Sequence, residues 1–126
     1  MGKKIRIRAG EIGAEAELND TRTAQAIWET LPIKSCVNLW GDEIYFPIPL
    51  SLKLEAGQEL VNIGELGYWP DGNVFCIFFG LTPVSQGDEI RPASPVTVFG
   101  KLIGDTTVFK KVATETKIVI RRESNG

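Results

Sequence analysis

Asn38, Trp40, Glu43 and Tyr45 are the side chains of this 126-residue sequence best placed to do chemistry, because one short turn would bring them together. Gly41-Asp42 reads as a two-residue hairpin turn between strands at 35–40 and 43–48. Side chains alternate across a strand, so this turn sets Asn38 opposite Tyr45 and Trp40 opposite Glu43 on one face. Val37, Leu39, Ile44 and Phe46 then take the other face, as core. Two aromatics supply area, and an amide and a carboxylate supply orientation, which suits a peptide or a flat organic ligand. Tyr68 and Trp69, at the base of the loop 68–73, border this face if the loop folds back. Glu43, with Tyr45 assisting, is also an acid or base for a hydrolase or lyase if Trp40 shields it and raises its pKa. The opposing reading is structural: Trp40 and Tyr45 cover an outer barrel wall and Glu43 faces water.

Other chemistries find less support. The sequence has no His, and Cys36 and Cys76 are far apart, so no zinc spacing exists and no metal is expected. The adjacent acids Asp42-Glu43 and Asp88-Glu89 read as solvated turns. Gly10-Glu11-Ile12-Gly13 and Gly64-Glu65-Leu66-Gly67 lack the lysine and following helix of a phosphate loop, and no cofactor is expected. A nucleophilic cysteine would have no His base, so both cysteines read as buried, reduced thiols in apolar strands, and the catalytic residues stay unassigned. A net charge of −2 with scattered Lys and Arg offers no field for a phosphate backbone, so nucleic acid is not an expected partner. No apolar run is long enough to span a bilayer, and Met1-Gly2-Lys3-Lys4 leads into alternation rather than a signal peptide. A cytoplasmic protein without a membrane partner is the expectation.

The elements that must hold these residues are mostly short strands. Ile5, Ile7 and Ala9 alternate with Lys4, Arg6 and Arg8, and Ala14, Ala16 and Leu18 alternate with Glu15 and Glu17. A turn at Gly10-Glu11 pairs Arg6 with Glu15 and Ile7 with Ala14, so charge and apolarity agree on one register. A helix is expected over 21–31, with Asp20 as N-cap, Ala24, Ile27, Trp28 and Leu31 on its buried face, and Pro32 ending it. Further strands are expected at 60–63, 74–79, 96–103 and 116–121, with a short helix at 106–112. Residues 74–79 are apolar throughout, so that strand is covered on both faces and its parity stays open. Ile5, Ile7, Leu39, Ile44, Phe75, Ile77, Phe79, Val98, Ile118 and Ile120 are the expected interior. With no βαβ rhythm, the fold class is mainly β: one domain over 1–126 forming a closed antiparallel barrel of about eight strands with one or two short capping helices, and a flexible tail at 122–126.

Val96-Thr97-Val98-Phe99-Gly100-Lys101-Leu102, followed by Asp105 and Lys110-Lys111-Val112, resembles the last third of a cyclophilin. Residues 64–79 look like the stretch where a glycine-rich loop feeds a strand with paired phenylalanines. Over almost its whole length the chain is more similar to the small stand-alone cyclophilin-like proteins of bacteria and archaea. The matching strings are Asn38-Leu39-Trp40-Gly41-Asp42-Glu43-Ile44-Tyr45-Phe46, Gly67-Tyr68-Trp69-Pro70 and Phe78-Phe79-Gly80-Leu81-Thr82-Pro83. The resemblance implies a cyclophilin-like β-barrel with a groove-bearing surface. Cyclophilin isomerases carry an arginine in a Phe-His-Arg strand, a Gln-Gly-Gly-Asp turn, and a loop tryptophan and histidine. None of these motifs is here, and Arg91 has no motif around it. The expectation is a binding domain for a peptide or small organic ligand; the alternative is a divergent enzyme, either a weak prolyl isomerase or a hydrolase or lyase using Glu43 and Tyr45. A homodimer joined through the aromatic face is the third alternative.

Overall fold

The computed structural model describes residues 2–123. Alternation becomes structure at once: β1 (Lys4–Ala9) and β2 (Ile12–Leu18) form a hairpin that sets Arg6 against Glu15 and Ile7 against Ala14. Gly10 supplies the positive φ, +61°, that the tight turn requires. Ile5, Ile7 and Ala16 are fully inside as a result.

The helix α1 (Arg22–Thr30) starts one residue later than Asp20 would set it. Thr21 is the N-cap, and its hydroxyl accepts the Ala24 N–H at 3.0 Å, while Asn19 Oδ1 accepts the Thr21 hydroxyl at 2.7 Å. The N–H groups of Arg22 and Thr23 donate to the Glu55 carboxylate, both at 3.0 Å. Those bonds hold the Glu55 carboxyl below its ordinary range and tie the irregular segment 50–62 to the helix start. Ala24 and Ile27 enter the core, and the half-buried Trp28 packs against it beneath Lys3 and Arg122.

The remaining strands are β3 (Ile33–Cys36), β4 (Asn38–Leu39), β5 (Glu43–Pro47), β6 (Glu65–Trp69), β7 (Val74–Phe78), β8 (Thr97–Ile103) and β9 (Lys117–Arg122). A 3₁₀ helix, Thr106–Lys111, precedes β9. The nine strands form one antiparallel sheet in the order β3-β9-β1-β2-β8-β6-β7-β5-β4. The sheet curls until its ends nearly meet, where the Ser35 hydroxyl donates to Pro47 O at 3.1 Å. This is a nearly closed barrel, mainly β. Arg122, expected in the tail, pairs with Ile5, and Glu123 N donates to Lys4 O at 3.0 Å; the rest of that tail, 124–126, lies outside the described residues.

Several expectations change. Leu39 is 38% exposed, because two-residue β4 ends the sheet and nothing packs beyond it. Val98 faces outward and is half-buried, while its neighbour Phe99 is fully inside. Cys36 is exposed rather than buried, since alternation from the buried Ile33 turns it outward on a terminal strand. Residues 60–63 form no strand; Val61 makes one bridge to Ile90.

Candidate functional site

Four neighbouring strands, β5, β7, β6 and β8, form a wall that is apolar on both sides. Ile44, Phe46, Leu66, Tyr68, Phe75, Ile77 and Phe99 face the barrel interior. On the outer side, Val74, Cys76, Phe78 and Val96 join Val61 and Ile90 from the loops, with Tyr45, Trp69 and Val98 packed against them. The second cluster exists because residues 82–96 fold back over the wall. That segment is fastened by its own polar side chains: Ser85 Oγ accepts the N–H groups of Thr82 at 3.0 Å and Arg91 at 3.1 Å, and the Thr82 hydroxyl donates to Arg91 O. Val96 and Gln58 exchange backbone hydrogen bonds of 2.8 and 3.1 Å at its far end.

Beneath this cover lies a pocket of about 280 Å³ lined by Trp40, Glu43, Tyr45, Trp69, Cys76, Pro92, Ala93, Ser94 and Val96. The Gly41-Asp42 turn brings two of these residues, Trp40 and Glu43, side by side. Trp40 and Glu43 exchange backbone hydrogen bonds of 2.9 and 3.2 Å, and Asn38 pairs with Tyr45 and Leu39 with Ile44. Glu43 and Tyr45 therefore share the outer face of β5, and Cys76 stands directly across from Tyr45 on β7. Trp69 donates its indole N–H to the Ser94 hydroxyl, which joins β6 to the cover.

Glu43 governs the electrostatics. It is only 6% exposed, and its Oε1 is buried without a hydrogen-bond partner. Burial pushes its carboxyl from an ordinary 4.5 up to about 7, and the neighbouring Cys76 thiol draws it partly back. Cys76 is itself raised well above the ordinary thiol range, by burial and then by the Glu43 charge. A carboxyl poised near neutrality among three aromatic rings can take up a proton, give one up, or pair with a cation.

Of the six residues singled out from sequence, Trp40, Glu43, Tyr45 and Trp69 line the pocket. Asn38 does not; it lies exposed on the terminal strand with its amide 3.4 Å from Tyr45 O. Tyr68 points the opposite way from Trp69, into the core, where its hydroxyl donates to Leu50 O at 2.8 Å and accepts the Leu52 N–H at 3.1 Å. Tyr68→Phe is thus expected to cost about 1 kcal/mol by removing hydrogen bonds to partly buried backbone groups, while leaving the pocket unchanged. Urea unfolding measures the first effect, and unchanged Trp69 fluorescence the second. Cys76, Pro92, Ala93, Ser94 and Val96 line the pocket as well, and no motif or alternation in the sequence marks them for it.

A larger groove, about 730 Å³, passes Glu17, Asp20, Arg22 and Lys101 near the start of α1. Its charges are of both signs and exposed or half-exposed, and the helix N–H groups beside it are already bound by Thr21 and Glu55. Among the described residues that line it, none carries a buried side-chain polar atom in need of a partner.

Residues 3–121 match the family model described as cyclophilin-like. The solution structure of the hypothetical protein AF2241 from Archaeoglobus fulgidus is 38% identical, covering 97% of this chain and 95% of its own, with a TM-score of 0.84. McbB, solved in complex with tryptophan, has a TM-score of 0.74 at 15% identity; the match spans 97% of this chain and 45% of McbB, and shows the fold alone. No curated protein matches the sequence.

Proposed function

The chain belongs to the cyclophilin-like family, and we propose that it binds a small organic molecule in the outer-wall pocket around Glu43. The carrying observation is that Glu43, whose carboxylate has a buried oxygen without a hydrogen-bond partner, lines a cavity together with three aromatic side chains. A buried polar atom without a partner costs about 1–3 kcal/mol, a cost that a bound molecule offsets by supplying the missing group. At about 280 Å³ the pocket is close to the lower end of ligand cavities, so it takes one compact ring or one peptide side chain. McbB, of like fold, holds a compact aromatic molecule in its structure. Since residues 92–96 already cover the aromatic face, the reading requires no homodimer and no nucleic acid. We place the protein in the cytoplasm, a reading supported by the two free thiols.

The chain contains three tryptophans, two in the pocket and Trp28 remote from it, which supplies an internal control. Titration with a library of single-ring aromatic fragments is expected to move the indole N–H signals of Trp40 and Trp69 and leave that of Trp28 in place. Movement of Trp28 alone, or of none, would sink the proposal.

Proton transfer by Glu43 to a bound substrate is the second reading, favoured by its titration near 7. Efficient prolyl isomerisation is not expected. No arginine is among the described residues lining the pocket, and the Arg91 guanidinium is committed to Glu89 at 2.8 Å. In a coupled assay with a proline-containing peptide, the rate should match the uncatalysed one; a rate near that of a true cyclophilin would overturn this and make Arg91 the first residue to mutate.

A further inference from the structure

We infer that the molecule held in the pocket is a compact aromatic amine, bound as an ammonium ion with Glu43 as its counterion; this rests on the pocket reading above. The charge around the cavity is one-sided. Glu43 presents an unpartnered acceptor, and no Lys or Arg is among the described lining residues to neutralise it. The Trp69 indole N–H is already given to Ser94, so a ligand carboxylate or carbonyl finds one donor fewer, with the Trp40 indole and the Tyr45 hydroxyl as the remaining ring donors of the lining. Trp40, Tyr45 and Trp69 line the cavity with aromatic rings, whose faces attract a cation, and Pro92, Ala93 and Val96 provide apolar wall for a hydrocarbon ring. An anion would meet a like charge there, and a neutral alcohol would gain only one ordinary hydrogen bond.

Charge linkage gives the assignment a second signature. Besides Glu43, the titratable lining groups are Cys76 on β7 and Tyr45 on β5. The 91–96 segment adds only Arg91, next to the lining residue Pro92 and tied to Glu89. Pairing with an ammonium stabilises the Glu43 carboxylate, so binding near pH 7 expels a proton from it. Affinity for the amine therefore rises from pH 6 to pH 8 and then levels off. A neutral molecule hydrogen-bonded to the protonated carboxyl would show the reverse.

The test compares 2-phenylethylamine, 2-phenylethanol and 3-phenylpropionate, following the indole signals of Trp40 and Trp69 at pH 8. The amine is expected to bind at least about tenfold more tightly than the alcohol, with the acid weakest. Calorimetry in buffers of different ionisation heat should show proton release with the amine near pH 7. Glu43→Gln should cost the amine most of its advantage over the alcohol, bringing the two affinities together. Equal or tighter binding of the alcohol or acid, with the same indole signals moving, overturns the amine assignment while the pocket reading survives. No movement with any of the three overturns both. The wild-type comparison decides these outcomes even where the variant fails to fold.

Discussion

Phe75→Ala is expected to lower the stability of the folded protein by about 3–5 kcal/mol. Phe75 is fully buried, stacks on Phe46 with ring centroids 4.8 Å apart, and meets Phe99 edge-on at 5.0 Å. These three rings fill the barrel from β5, β7 and β8, so removing the middle one leaves a void bounded by fixed strands. Neighbouring side chains have little freedom to collapse into it, because β7 is paired on both sides, to β5 and to β6. The urea midpoint should fall at an unchanged slope. Leu39→Ala serves as contrast: at 38% exposed on the terminal strand, its loss should stay within about half a kcal/mol. A Phe75→Ala cost below 1 kcal/mol would mean that the ring cluster is not the centre of the core.

What could be read from the sequence divides along physical lines. The β1–β2 and β4–β5 registers were legible because period-two alternation and a glycine turn specify the same pairing. The 74–79 strand was legible as covered on both sides, but not in its parity: Phe75 and Ile77 face in, Cys76 and Phe78 face out, and all four are apolar. Tyr68 and Trp69 are adjacent in a strand, so alternation allows only one of them to face the site. Least legible were contacts between irregular segments. Nothing periodic announces that Glu55 will seal the start of α1, or that residues 92–96 will roof the outer wall through Ser94 and Trp69. The aromatic face is covered by the chain's own 82–96 segment, not by the 68–73 loop.

Glu43→Gln is expected to leave stability nearly unchanged at pH 4 and to raise it by up to about 3 kcal/mol at pH 8 to 9. In the native protein the Glu43 carboxyl holds its proton to about pH 7, whereas in the unfolded chain it releases it at its ordinary 4.5. Between those values the unfolded state binds fewer protons than the native state, so wild-type stability falls as pH rises. The contribution of the protonated carboxyl is complete below pH 4.5, declines by about 1.4 kcal/mol per pH unit, and is gone once pH passes 7. Glutamine keeps the shape and a polar tip but cannot ionise, so subtracting its pH profile from that of wild type isolates this one group. Its high-pH gain equals the cost of holding a bare carboxylate with an unpartnered oxygen under the 92–96 cover. Such a cost marks a site kept for something other than stability. Saturating 2-phenylethylamine should return part of the loss to wild type at pH 8 and do little for the variant, because only wild type has the charge to pair. A difference between the two proteins that stays flat from pH 4 to 9 would mean that Glu43 is hydrated like a surface acid. The binding reading would then lose the observation that carries it.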